Sequence, residues 1–209
     1  RGVYLAGNHK ENFERKEYFE NINISFPFTP PFSLVNNFSL KILNQLYYFL
    51  NKTSKNSIQH YKKFFFPLDI VNNWNKAYGK KGFFQYQFVV PKKNGPQTIE
   101  KVLEIINKNN QVPALGVLKN FGDVKSVGLN SFPFEGVTLS LDFPNKGEKT
   151  KKLFDELNKV IFQNNGRIYP AKDAFMNPKE FQESYEGVNN FRKYIDSKFS
   201  SGFWKRVNK

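Results

Sequence analysis

The 209-residue chain contains no cysteine. Disulfides, thiolate nucleophiles and all-cysteine metal sites are therefore excluded. Histidine is nearly as scarce: His9 and His60 lie far apart, with no HExxH and no paired-histidine metal spacing. A Ser-His-Asp arrangement would need coincidence. There is no Walker loop, no calcium loop and no GxGxxG after a strand, so the chain lacks the usual Gly-rich grip on a nucleotide. No apolar run reaches the roughly 18 to 20 residues that span a membrane. The opening residues Arg1-Gly2-Val3-Tyr4 do not read as a secretory signal. They read as the start of a strand, as in a chain cut from something longer.

Acidic residues are outnumbered, 18 against 32 basic, for a formal charge of +14. Such a balance favours anionic partners: nucleic acid, an anionic membrane surface or a phosphorylated substrate. The lysines are scattered, however, and no basic helix, zinc-finger spacing or aromatic RNA-binding motif accompanies them. Nucleic acid is not expected as a partner. Three Asn-x-Ser/Thr triplets, at Asn23, Asn37 and Asn51, read as chance matches in an asparagine-rich chain.

What is abundant is aromatic and apolar. Phenylalanine occurs 24 times and hydrophobic residues make up 39%, enough for a core. Strands are expected at 3–6 and 22–26, and a helix at 39–50 with Leu40, Leu43, Leu46, Tyr47 and Leu50 on its apolar stripe. Phe84, Tyr86, Phe88 and Val90 alternate with Gln85 and Gln87 in a strand that Pro91 ends. Thr98 is placed to cap a helix with Ile99, Val102, Leu103 and Ile106 on one face. Strands follow at 114–119 and 137–143. A helix that Thr150 would cap comes next, carrying Leu153, Leu157, Val160 and Ile161, and Asn165-Gly166 stops it. Arg167 to Tyr169 begins a last strand, and short helices are expected near 178–185 and 188–194.

The expected fold class is α+β. Its core is a ferredoxin-like βαββαβ unit with a largely antiparallel sheet, helices on one face and a C-terminal helical segment. The other sheet face is left free for a ligand or a second domain. Gln85 and Gln87 project together there, and glutamine pairs donors and acceptors suited to sugar hydroxyls, although a merely exposed face would look the same. Lys119 ends an otherwise apolar strand and could simply reach solvent. Lys172 could be half of a surface pair with Asp173. Thr138 and Ser140 could line a site or face water.

Taken as an ordered series, these segments are more specific. The series runs Phe66-Pro67-Leu68-Asp69, Trp74 to Gly79, and Gly82-Phe83-Phe84-Gln85-Tyr86-Gln87-Phe88-Val89-Val90-Pro91. It continues through Val117 to Gly122, Ser131-Phe132-Pro133-Phe134-Glu135-Gly136, Leu141 to Pro144, Gly166 to Ala174 and Phe199 to Trp204. It resembles the C-terminal half of FAD-linked oxidases related to decaprenylphosphoryl-ribose 2′-oxidase, in the vanillyl-alcohol-oxidase-like superfamily.

The resemblance implies residues 1–174 as a substrate-binding cap domain. Residues 175–209 would be a helical segment packing on an upstream FAD-binding domain that this chain does not include. FAD would be the cofactor, bound mainly by that domain, with no metal. Lys172 matches the lysine that approaches the flavin and stabilises negative charge on the reduced ring, a catalytic and cofactor-binding role. Gln85, Gln87, Lys119, Thr138 and Ser140 would contact substrate, with Phe65 and Leu68 as an apolar wall.

The implied reaction is hydride transfer from a secondary alcohol of a sugar or sugar-like substrate, a phosphorylated or prenyl-phosphate sugar among the candidates. The base that takes the hydroxyl proton is not identified, and a reductase partner stays open. The expected location is cytoplasmic or peripheral to a membrane. Two alternatives stand beside this reading: a non-catalytic basic module for nucleic acid or an anionic surface, and a remnant of a split oxidase.

Overall fold

The computed structural model describes residues 3–10, 24–52, 57–66, 69 and 71–208. The chain divides into two compact units, Arg1–Lys80 and Lys81–Lys209.

In the first unit, strand β1 (Ile24–Ser25) pairs in parallel with β2 (Val71–Asn72). Helix α1 (Asn37–Asn51) lies between them in sequence, followed by a short helix α2 (Tyr61–Phe65). A capping box opens α1: the Asn36 side chain accepts from the Phe38 and Ser39 amides, and the Ser39 hydroxyl accepts from the Asn36 amide. The helix is where its periodicity predicts. Of its expected stripe only Leu40 is buried; Leu43, Leu46, Tyr47 and Leu50 are exposed. The predicted strand at 3–6 is not formed, and its backbone is irregular with Tyr4 and Leu5 exposed. Of the strand expected at 22–26, residues 22 and 23 lie outside the described residues. Gly79 closes a one-and-a-half-turn 3₁₀ segment (Trp74–Tyr78) at φ 73°. A Cβ there would sit 2.6 Å from the Phe32 carbonyl, so both the conformation and the close approach require glycine.

The second unit carries the βαββαβ order. Strand β3 (Phe83–Pro91) leads to helix α3 (Gly95–Lys108), then strands β4 (Gly116–Phe121) and β5 (Gly136–Pro144). Helix α4 (Glu148–Gln163) and strand β6 (Arg167–Ile168) complete it. The spatial order is β4-β5-β3-β6 and every neighbouring pair is antiparallel. This is the split βαβ sheet that the alternation and helix spacing predict.

One sheet face holds Tyr86, Phe88, Val90, Leu139, Leu141 and Phe143. It packs against Val102 and Ile106 of α3 and Leu153, Phe154, Leu157 and Ile161 of α4 in a single core. Phe154 sits amid the rings of Phe84, Tyr86, Phe143 and Phe175, at centroid distances of 4.7 to 6.3 Å. Tyr86 keeps its hydroxyl satisfied inside this core by donating to Asn158 Oδ1 at 2.8 Å, and burial pushes its pKa well up.

Both threonine caps are corrected. Helix α3 begins at Gly95, and Thr98 instead bonds the Asn94 carbonyl from its first turn. Helix α4 begins at Glu148, so Thr150 lies inside it, where its hydroxyl accepts from the Lys146 amide. Helical periodicity marks the apolar stripe but not the first turn, because a proline at N2 and a glycine at the N-cap start these helices earlier. The stop is as expected. Asn165 takes the left-handed conformation at φ 56° and the Gly166 amide bonds the Ile161 carbonyl.

After β6 come α5 (Pro178–Ser184), α6 (Val188–Phe191) and α7 (Gly202–Val207). Phe181, Tyr185, Val188 and Val207 join the same core. Residues 175–209 therefore share a compact unit with the sheet, and the break between units falls at 80/81.

Candidate functional site

Helices α3 and α4 cover one face of the sheet, and the ladder register decides what the opposite face carries. Gln85 stands opposite Asp142, Gln87 opposite Ser140, and Val89 and Lys119 both opposite Thr138. Directly paired residues point to the same side. Gln85, Gln87, Lys119, Thr138 and Ser140 thus share one face, with Asp142 among them.

Three side-chain hydrogen bonds join this group. Gln85 Nε2 donates to Asp142 Oδ1 at 3.0 Å, and Gln87 Nε2 donates to Thr138 Oγ1 at 3.1 Å. Lys172 Nζ donates to Ser140 Oγ at 3.2 Å. The face is not a plain solvated surface, since Thr138 is 1% and Asp142 3% exposed. Gln85, Gln87, Ser140 and Lys172 are half-buried.

Lys172 reaches this face from the turn after β6. Its own amide bonds the Tyr169 carbonyl, while the Tyr169 amide bonds the Gln87 carbonyl and so ties the turn to β3. The neighbour Asp173 is not its partner. The Asp173 carboxylate accepts from the Phe175 and Met176 amides and pairs with Arg206 of α7. Among the described residues no carboxylate lies at ion-pair distance from Lys172. A half-buried ammonium is thereby held on a hydroxyl, available to an anionic group.

The remaining predicted residues are placed differently. Lys119 lies on the correct face, but on edge strand β4 and exposed. Phe65 belongs to the first unit, exposed on α2. Leu68 lies outside the described residues.

Sequence reasoning missed two features. The first is Asp142, which the alternation of its strand marks as no more than a polar position. The available signal was a carboxylate at the same period-two positions as Thr138 and Ser140, between Leu141 and Phe143. The second is the aromatic rim. Phe132, in the loop before β5, stacks on Tyr169 at 4.6 Å and meets Phe121 edge-on. Arg167 ties the same loop down by donating to the Ser131 carbonyl at 3.0 Å, with its guanidinium 4.6 Å from the Phe134 ring centre. Burial pulls the Arg167 pKa down.

Burial pushes the Asp142 carboxyl above the ordinary aspartate range, and the Gln85 hydrogen bond and the Lys172 charge partly pull it back. A folded-state value above the unfolded one means stability that is fully present below the unfolded pKa, about 3.9. That stability is lost as pH rises through the folded value. Asp142→Asn removes this dependence. Urea unfolding at pH 4 and pH 7 is expected to show the variant gaining relative to the parent at the higher pH. A difference that does not change with pH would show that Asp142 is not desolvated.

With this geometry in view, known proteins give a direct comparison. The chain is similar to a sugar-lipid oxidase. Over 168 residues, 80% of the chain, it is 32% identical to decaprenylphosphoryl-β-D-ribose oxidase of Mycolicibacterium smegmatis. It is also 36% identical over 77 residues to an uncharacterised protein in the mprA 5′ region of Streptomyces coelicolor. The chain spans about a third of the oxidase, 36% of its length, and 21% of the second relative. No family model matches the chain. Among the described residues, no helix is long and apolar enough to cross a membrane, and no three His, Cys, Asp or Glu side chains gather as a metal site.

Proposed function

We propose that this chain is the substrate-side part of an FAD-linked oxidoreductase that oxidises a secondary alcohol of a sugar or sugar-like compound. The observation that carries this reading is the convergence of Gln85, Gln87, Thr138, Ser140 and Lys172 on the sheet face that α3 and α4 leave open. The similarity to an oxidase acting on a ribose lipid supports the same reading.

The residues fit a flavin on one specific point. Lys172 holds a half-buried positive charge on the Ser140 hydroxyl, with no carboxylate at ion-pair distance among the described residues. A cation so placed favours a group that gains negative charge on reduction. FAD, when bound, supplies the hydride acceptor. Its adenine and phosphates would be gripped mainly by sequence outside this chain, which has no Gly-rich loop of its own.

The chain's own residues bind and orient. Gln85 and Gln87 hold substrate hydroxyls, Thr138 and Ser140 set the glutamine and lysine geometry, and Lys172 places positive charge where the reduced cofactor would gain negative charge. Lys119, exposed on the edge strand, suits the phosphate of a prenyl-phosphate sugar. Residues 175–209 would contact the flavin domain. An electron-accepting or reductase partner completes the cycle.

The test is cofactor loading. The chain alone is expected to purify colourless, and the chain joined to its upstream sequence yellow, read by visible absorbance. A long form that stays colourless, even on titration with FAD, would sink the proposal. Salt-dependent retention on heparin by that colourless form would then favour the basic binding module.

A further inference from the structure

Resting on the sugar-pocket reading above, we infer that Asp142 is a positioning residue that locks the Gln85 amide so that the site reads a hydroxyl donor at that position. An ionised carboxylate only accepts hydrogen bonds. Gln85 must therefore turn its NH₂ toward Asp142, as it does at 3.0 Å, and its Oε1 away. Among the described residues no donor bonds Oε1 of Gln85. The free atom on this face is thus an acceptor.

Gln87 differs. Its Nε2 meets a threonine hydroxyl, which both donates and accepts, so its amide can reverse without losing the bond to Thr138. Lys172 only donates. The face therefore offers one fixed acceptor at Gln85, one adaptable amide at Gln87 and one fixed donor at Lys172.

The complementary ligand carries a hydroxyl donor toward Gln85 and an oxygen acceptor toward Lys172, as neighbouring oxygens of a furanoside do. An ether or ketone at the first position would set two acceptors against each other and leave a half-buried oxygen unpaired, which sites of this kind reject strongly. Asp142 makes this choice without touching the ligand.

Two measurements test the inference, and they fail separately. The first uses the chain alone, by ¹⁵N side-chain amide NMR. The Gln85 NH₂ signals, assigned by their loss in Gln85→Leu, are expected to move as Asp142 titrates in the unsubstituted chain and to stay still in Asp142→Asn. The Gln87 signals should hardly respond. Gln85 signals that ignore both pH and the substitution would overturn the lock, whatever the protein binds.

The second measurement uses the flavin-loaded long form with methyl β-D-ribofuranoside and its three mono-O-methyl ethers as probes. One ether is expected to bind at least tenfold more weakly than the parent glycoside. Asp142→Asn, whose amide lets Gln85 reverse, should shrink that ratio to about threefold or less while moving KM more than kcat. A ratio unchanged by the substitution would overturn the specificity role and leave the sugar reading standing. No binding of the parent glycoside, with the Gln85 signals still coupled to Asp142, would overturn the sugar reading and the hydroxyl selectivity together.

Discussion

Replacing Lys172 by methionine in the flavin-loaded long form is expected to lower turnover of a ribofuranoside by about 10² to 10³-fold, the usual cost of deleting one preorganised charge-stabilising group. The Lys172 ammonium reaches its hydroxyl partner Ser140 and not its sequence neighbour Asp173, which is committed to Arg206 and to two backbone amides. Methionine keeps the length and apolar body of the side chain and removes only the charge. The fold should therefore survive, and Lys172→Arg should recover part of the rate. Steady-state kinetics and the flavin reduction potential together decide the matter. The potential is expected to fall in Lys172→Met, since a nearby positive charge stabilises the reduced state. A loss of less than about threefold with an unchanged potential would place Lys172 outside the reacting region.

Phe88→Ala is expected to cost about 3 to 5 kcal/mol of stability, read by urea denaturation of the full chain. Phe88 is fully buried in central strand β3, between the neighbouring strands β5 and β6 and under the two helices. Its neighbours cannot collapse into the gap without breaking the ladder on either side. Domains of this size are stable by only about 5 to 15 kcal/mol, so the loss would approach the total in a less stable case. The adjacent Gln87→Ala, on the opposite face, should cost far less. Comparable losses at both positions would mean that the two faces are not chemically distinct as described.

The fold of the second unit was legible because two periods coexist in it. Strict alternation in Phe84 to Val90 and Val137 to Phe143 can bury only one face of a sheet. The stripes Val102–Ile106 and Leu153–Leu157–Ile161 can bury only one side of a helix. Those faces have to meet, and the antiparallel order β4-β5-β3-β6 is the observed solution. The first unit was less legible. Its helix forms on local signals, the Asn36–Ser39 capping box and a good apolar period, yet Leu43, Leu46 and Leu50 remain exposed. Periodicity records that a stripe exists and says nothing of what covers it.

The site divides in the same way. That Gln85 and Gln87 share a face follows from their spacing of two, and so does the pairing of Thr138 with Ser140. Which strand faces which, and in what register, is a tertiary fact. It set Gln85 against Asp142, and so turned an unremarked strand aspartate into the partner of a predicted site residue. It also chose between two readings of Lys172. Sequence adjacency offered Asp173 as its partner, whereas a turn pinned to β3 directs the lysine to Ser140, 32 positions away, and gives Asp173 to Arg206.

The amino-acid sequence alone determined the elements, their amphipathic faces and the polar residues available for chemistry, because periodicity and turn chemistry act within a few residues. Only the tertiary structure decided the register, the burial of Asp142 and the partner of Lys172, because hydrogen bonding and desolvation depend on what the rest of the chain brings alongside.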